Sequence, residues 1–304
     1  MREVRCALLP EGEREELATA ITEGGGRLVA VAEAEALIWT SHTDATSLEQ
    51  VLAANPQLRW IQLPFAGIER FVHLVDDGRT WTCGKGVYAE PVAEHALALT
   101  LGLLRGVGRY AKRQAWSAPY GQNLLGAHVC IVGGGAITRT LVRLLLPFGV
   151  YLTVVRNRPE PIPGVAEVVA TDRLHDALAE ADVVILALAL TPDTEGLIDE
   201  RAIAAMRPEA VLVNVARGRH IDTDALVAAL SEGRLAGAAL DVTDPEPLPE
   251  DHPLWAMEQV ILTPHVGNTP EMGIRLLWAR VRENVERRSE DRELLGPVHV
   301  DLGY

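Results

Sequence analysis

One segment, His128-Val-Cys-Ile-Val-Gly133-Gly134-Gly135-Ala136-Ile137-Thr138, constrains this chain more than any other. Residues 128–132 have the apolar run of a buried strand, and residues 136–146 carry apolar positions at helical spacing. The glycines between them must turn the chain from strand to helix within a few residues. Gly133 permits the tight turn and Gly135 lets backbone amides approach a ligand. The N-terminus of the following helix, from Ala136 and Ile137, offers unpaired N–H groups to an anion such as a pyrophosphate. A glycine turn alone is a common connection, and the third position of G-x-G-x-x-G holds Thr138 instead of glycine. The second strand at 151–155 completes a strand–turn–helix–strand unit and favours a dinucleotide site.

The pattern on either side fits this reading. Before residue 84 it predicts strands at 4–9, 28–31, 36–39, 60–63 and 81–83, with helices at 13–22 and 47–53. A long helix opens with Pro91 and runs to Gln114. Beyond the glycine turn, strands are predicted at 151–155, 182–190, 210–216, 237–242 and 260–263. Helices at 173–181, 199–206 and 222–231 separate most of them, and a last helix covers 271–289. Alternation of this kind indicates parallel sheets flanked by helices. The expectation is an α/β protein of two domains with a cleft between them. One is a Rossmann-type doubly wound cofactor domain at 99–271. The other is a smaller, discontinuous substrate domain at 1–98 and 272–304.

Composition narrows the partners. Of 304 residues, 28 are Lys or Arg and 42 are Asp or Glu, a formal charge of −14 that argues against nucleic acid or an anionic membrane. The longest purely apolar run, 183–190, is far shorter than the ~20 residues needed to span a bilayer. The N-terminal segment turns acidic too soon for a signal peptide. Cys6, Cys83 and Cys130 fit neither a disulfide framework nor a zinc site, and cytoplasmic localisation is expected. Cys83 reads as a buried thiol in preference to a nucleophile. The histidines show no i, i+4 pairing, so no metal site is expected. His95, beside Glu94 on a helix, reads as packing, and Lys85 as a solvated loop residue.

The end of strand 151–155 is the position at which an NAD enzyme places an acidic residue on the ribose 2′-hydroxyl. Here Arg156, Asn157 and Arg158 stand instead. Guanidinium groups at this point favour a 2′-phosphate, which they bind through charge-assisted contacts; a solvated basic loop is the alternative.

Three later segments carry chemistry. Val-Leu-Val-Asn214-Val215-Ala216-Arg217-Gly218 is a strand ending in arginine. A second strand, ending in Asp241-Val, is followed by a loop holding Glu246, and Thr263-Pro264-His265 ends a third. Each polar residue stands just past the carboxyl end of a strand, where open α/β sheets bind ligands. Arginine can clamp a carboxylate, histidine can exchange a proton with a hydroxyl or carbonyl oxygen, and glutamate can orient the imidazole.

At these motifs the sequence resembles the D-isomer-specific 2-hydroxyacid dehydrogenase family. The resemblance implies that Arg217, Glu246 and His265 form the catalytic set. It places Val215, Ala216 and Asp241 with the cofactor, Asp241 near the nicotinamide, with a cap on the strand as the alternative for Asp241. Leu-Pro-Phe-Ala66-Gly67-Ile-Glu is similar to the family's substrate loop, which assigns the Ala66 and Gly67 amides to the substrate carboxylate. It further implies a flavodoxin-like substrate domain and a homodimer built around the apolar helix that follows Pro91. The resulting expectation is an NADP(H)-linked dehydrogenase of a small 2-hydroxy or 2-oxo acid, with glyoxylate or hydroxypyruvate reduction first and NAD(H) possible. The alternative of a different class is a dinucleotide-sensing scaffold of the same fold with little turnover.

Overall fold

The computed structural model describes residues 2–10 and 15–300. Glu13, the expected start of the first helix, lies outside the described residues. The chain divides into two compact units, Met1–Tyr88 with Thr269–Tyr304, and Ala89–Asn268.

In chain order the first unit contains β1 (Val4–Leu9), α1 (Glu15–Glu23), β2 (Gly26–Leu28), β3 (Ala36–Trp39), α2 (Ala45–Ala54), β4 (Trp60–Gln62) and β5 (Thr80–Thr82). The second unit contains α3 (Ala89–Leu104), α4 (Val107–Ala111), β6 (His128–Val132), α5 (Ala136–Leu145), β7 (Tyr151–Val155), β8 (Glu167–Val169) and α6 (Leu174–Glu180). It continues with β9 (Val183–Leu186), α7 (Glu200–Ala205), β10 (Val211–Asn214), α8 (Thr223–Ser231), β11 (Gly237–Leu240) and β12 (Val260–Leu262). The last helix, α9 (Pro270–Ser289), returns to the first unit.

The first unit is a five-stranded sheet in the order β2-β1-β3-β4-β5, every pair parallel. This is the flavodoxin-like order. All four residues of β3 are buried, as expected of a strand covered on both faces. On one face Leu17 and Ile21 of α1 and Leu277, Val281 and Val285 of α9 pack with Val4, Cys6, Ile38 and Trp60. On the other, Leu48 and Leu52 of α2 pack with Leu37, Trp39 and Ile61.

The second unit is a seven-stranded parallel sheet in the order β12-β11-β10-β9-β6-β7-β8. Counted from β6, this is the Rossmann order with one strand added at the edge, and it reverses between β6 and β9. Every residue of β9, β10 and β11 is buried. These short apolar strands form the core, where truncating one Leu or Ile to Ala costs ~2–5 kcal/mol. α3 supplies Ala93, Ala96, Leu99, Leu103 and Leu104 to the same core.

The single helix expected from Pro91 to Gln114 is two. α3 stops at Leu104, Gly106 takes a left-handed φ of 62°, and its N–H bonds to the Leu103 carbonyl. Glycine reaches that conformation without a Cβ penalty, so Gly106 ends the helix that apolar spacing alone would continue. The strand expected to run to Leu190 leaves the ladder after Leu186. β8 was not foreseen; it is a three-residue edge strand with little pattern to read.

Candidate active site

The glycine turn leaves β6 at the point where the strand order reverses. Gly133 has a φ of 116°, and a Cβ there would lie 2.2 Å from the Ala187 carbonyl oxygen, so only glycine lets β6 and the β9 exit pass this closely. Thr138 occupies the third motif position for a visible reason. It is fully buried and its hydroxyl donates to the Gly133 carbonyl at 2.8 Å, closing the turn. Gly135 caps α5 and a Cβ there would meet open space, so the Ala136 and Ile137 amides face a surface a phosphate can approach. These residues fit a dinucleotide.

Arg156 follows β7, held by its N–H on the Val169 carbonyl. Its side chain lies across the turn, its Cδ and Nε 2.7 Å from where a Gly134 Cβ would stand. Glu160 is its ion-pair partner at 3.9 Å, too long for a good hydrogen bond. Asn157 accepts a hydrogen bond from the Thr171 hydroxyl at 2.8 Å, and Arg158 is exposed.

Arg217, Glu246 and His265 come from the loops after β10, β11 and β12, adjacent strands of one sheet. Asn214, fully buried at the end of β10, brackets the arginine: its Oδ1 accepts the Ala216 N–H at 3.0 Å and its Nδ2 donates to the Arg217 carbonyl at 2.8 Å. The Arg217 N–H donates to His220 Nδ1 at 3.2 Å, and the guanidinium donates to the Ala216 carbonyl at 2.7 Å. Val215 and Ala216 are buried beneath this turn. At Gly218 a Cβ would stand 2.0 Å from the Thr243 carbonyl, so the arginine loop lies directly on the loop that carries Glu246.

Glu246 Oε1 is 2.8 Å from His265 Nδ1, and both side chains are close to half exposed. Pairing through Nδ1 leaves Nε2 for proton exchange with a substrate. At this exposure the pair adds little to stability, so its value lies in orientation. His265 itself has a left-handed φ of 54°, unusual for a residue with a Cβ.

Asp241 supports that conformation. It is buried, and its Oδ1 accepts from the Thr263 hydroxyl at 2.6 Å and the Val266 N–H at 2.9 Å, while Oδ2 accepts from the Gly267 N–H at 2.9 Å. His95 Nε2 is 3.2 Å from Oδ1. Burial alone would raise this carboxyl, but the hydrogen bonds from His95, Thr263, Val266 and Gly267 outweigh it and hold the group at about 2, below its ordinary 3.8. His95, expected to be packing only, is therefore a polar member of the site. Neither it nor Asn214 and Thr263 could be assigned these contacts from spacing, because their partners are distant in sequence or set by the turn.

In the other unit, Ala66 and Gly67 follow β4 in a loop held by the Gly84 N–H on the Phe65 carbonyl at 3.0 Å and the Tyr88 hydroxyl on the Pro64 carbonyl at 2.7 Å. Among the described residues no acceptor meets the Ala66 or Gly67 N–H. Cys83 is fully buried there and burial raises its thiol, while Cys6 and Cys130 are pushed up to about 12, chiefly by burial. None suits a nucleophile. Among the described residues there is no group of three potential metal ligands, and no helix is long and apolar enough to cross a membrane.

A doubly wound sheet with a glycine turn at its switch point and Arg, Glu and His on neighbouring strand ends defines a dinucleotide-dependent oxidoreductase. Residues 97–267 match the model of the D-isomer specific 2-hydroxyacid dehydrogenase NAD binding domain. An uncharacterized protein of Corynebacterium melassecola is 36% identical over 299 residues, 95% of this chain and 97% of that one. The glyoxylate reductase/hydroxypyruvate reductase of Homo sapiens is 33% identical over 261 residues, covering 80% of this chain and 76% of its own length. A D-isomer specific 2-hydroxyacid dehydrogenase from Xanthobacter autotrophicus Py2, crystallised with NADPH and MES, superposes with a TM-score of 0.85 at 24% identity, covering all of both chains. The chain belongs to the D-isomer specific 2-hydroxyacid dehydrogenase family and is an NAD(P)-dependent oxidoreductase of small 2-hydroxy and 2-oxo acids.

Proposed function

We propose that this enzyme reduces glyoxylate or hydroxypyruvate with NADPH. The observation that carries the chemistry is the Glu246–His265 pair at 2.8 Å, beside the Arg217 loop on the adjoining strand ends. Arg217 binds the substrate carboxylate through its guanidinium fork. His265, protonated and oriented by Glu246, gives its Nε2 proton to the carbonyl oxygen as the carbonyl carbon is reduced, and Glu246 stabilises the imidazolium until that proton leaves. Bound NADPH supplies the hydride for that carbon. The turn at Gly133–Gly135, with the Ala136 and Ile137 amides, would hold the pyrophosphate, and Val215, Ala216 and Asp241 would face the nicotinamide. In the first unit the Ala66 and Gly67 amides are assigned to substrate binding, so Gly67→Pro, which removes one N–H, should raise KM.

NADPH is preferred over NADH in this reading because Arg156, and Arg158 beyond it, stand where a carboxylate would repel a 2′-phosphate. The human relative, named for glyoxylate and hydroxypyruvate, supports the substrate class. Loss of NADPH absorbance against a panel of 2-oxo acids tests the proposal: turnover should be greatest with glyoxylate or hydroxypyruvate. Tight NADPH binding with no turnover across the panel would favour a dinucleotide-sensing scaffold and contradict it.

The enzyme is further proposed to be a cytoplasmic homodimer. Three unpaired, buried cysteines suit a reducing compartment. The α3 core residues are covered within their own unit, but Val107 is 57%, Leu125 68% and Trp116 fully exposed. Exposed apolar side chains such as these suit a partner subunit. Sedimentation at micromolar protein should show twice the 33.0 kDa chain mass, and a monomer alone would refute it.

A further inference from the structure

His95 lies in α3, far in sequence from the three catalytic loops, yet its Nε2 is 3.2 Å from Asp241 Oδ1 and 3.1 Å from Thr263 Oγ1. Proton accounting fixes what this nitrogen does. The Thr263 hydroxyl has one proton, and the 2.6 Å contact with Asp241 Oδ1 takes it. The carboxylate, ionised well below neutral pH, has none to give. An unprotonated Nε2 would therefore point a lone pair at two acceptors. His95 must carry its proton on Nε2 and share it between the carboxylate and the threonine oxygen.

What this hydrogen bond holds is the backbone of His265. The Asp241 backbone carbonyl accepts the His265 N–H at 2.8 Å, and its carboxylate accepts the Val266 and Gly267 N–H groups at 2.9 Å each. These three successive amides keep residue 265 in its left-handed conformation, which a residue with a Cβ does not adopt unless its surroundings impose it. The Glu246–His265 contact depends on that conformation, because turning the backbone would swing the imidazole away. Asp241 and Thr263 are themselves on loops. His95 ties them to a sixteen-residue helix that is anchored in the core by Ala93, Ala96, Leu99 and Leu103.

We propose that His95 is a positioning residue: acting through Asp241 and Thr263, it holds His265 in the geometry for proton transfer without touching the substrate. This inference rests on the assignment of His265 as the proton donor.

The test is a double-mutant cycle between His95 and His265. In the otherwise intact protein, His95→Leu should lower kcat for glyoxylate reduction by about 10- to 100-fold, the usual scale for a catalytic group displaced by about an ångström. The Kd for NADPH, read by fluorescence, should change less than about twofold, because the phosphate site does not involve this network and Asp241, its one member assigned to the nicotinamide side, is retained. His95→Gln, which keeps an N–H at similar reach, should restore most of the rate. With His265→Ala already present, His95→Leu should cost less than about twofold more, since the residue it positions is gone. Thr263→Val, which removes only the hydroxyl, carries the same expectations for kcat, NADPH Kd and the His265→Ala background, and serves if the leucine variant does not fold. Unchanged kcat in His95→Leu and Thr263→Val, an equal loss in both backgrounds, or a rise in NADPH Kd matching the loss in rate would each overturn the proposal. Full activity in His265→Ala alone would overturn the parent assignment as well, and is distinguishable from all of these.

Discussion

Replacing Asp241 by Asn probes the brace beneath the catalytic histidine. The carboxylate accepts four hydrogen bonds from the protein, from His95, Thr263, Val266 and Gly267. An amide of the same shape has one accepting oxygen, so at least one of these donors would face an N–H. Holding the carboxyl at about 2 against an ordinary 3.8 corresponds to about 2.5 kcal/mol in favour of the ionised folded form. A buried donor left facing another donor adds roughly 1–3 kcal/mol. Asp241→Asn should therefore destabilise the protein by about 3.5–5.5 kcal/mol at pH 7, measured by urea unfolding. The sign with pH follows from the depressed folded value. The carboxylate's contribution is complete above about pH 5 and is lost as pH falls through about 2, so close to half of the 2.5 kcal/mol is gone by about pH 3. The gap between wild type and variant should thus narrow by about 1 kcal/mol between pH 7 and pH 3. A variant as stable as wild type at pH 7, or a gap independent of pH, would refute the reasoning.

Other substitutions test separate parts of the site. Wild type should favour NADPH over NADH in kcat/KM by at least about tenfold, since one charge-assisted contact is worth ~1.5–3 kcal/mol; Arg156→Asp with Arg158→Ala should narrow or reverse that ratio without abolishing turnover. Arg217→Ala should raise KM and lower kcat together, and Arg217→Lys should recover little, because an ammonium lacks the planar fork. Gly218→Ala drives a methyl into the Thr243 carbonyl at 2.0 Å; calorimetry should show a loss of ~1–3 kcal/mol, accompanied by reduced turnover because the Arg217 and Glu246 loops must separate.

The sheets were legible in the sequence where strands are continuous apolar runs. Residues 4–9, 36–39, 128–132 and 151–155 have the same ends in pattern and structure, and each runs into a turn or polar residue, Pro10, Thr40, Gly133 and Arg156. The run at 183–190 was not, because the same apolar residues continue past Leu186 into a loop whose path is set by the Gly133 turn pressing on Ala187. Gly106 could have been read as a helix end, yet a glycine within an apolar helical pattern is ambiguous until its φ is known. Arg217, Glu246 and His265 stood out because each stands in the loop that follows a strand. Their supports did not: His95 reaches a residue 146 positions away, and Asn214 works by bracketing a turn whose shape the sequence does not display.

The central claim is that hydride goes to the carbonyl carbon of a 2-oxo acid while His265 protonates its oxygen. The most direct measurement follows deuterium from NADPH labelled at the transferring C4 position into product, with glyoxylate as substrate and wild type beside His265→Ala. The glycolate formed by wild type should carry one deuterium on C2. The variant should bind NADPH as tightly yet form product about 10²–10⁴-fold more slowly, the usual contribution of a general acid. Product without the label, or an undiminished rate in His265→Ala, would contradict the account.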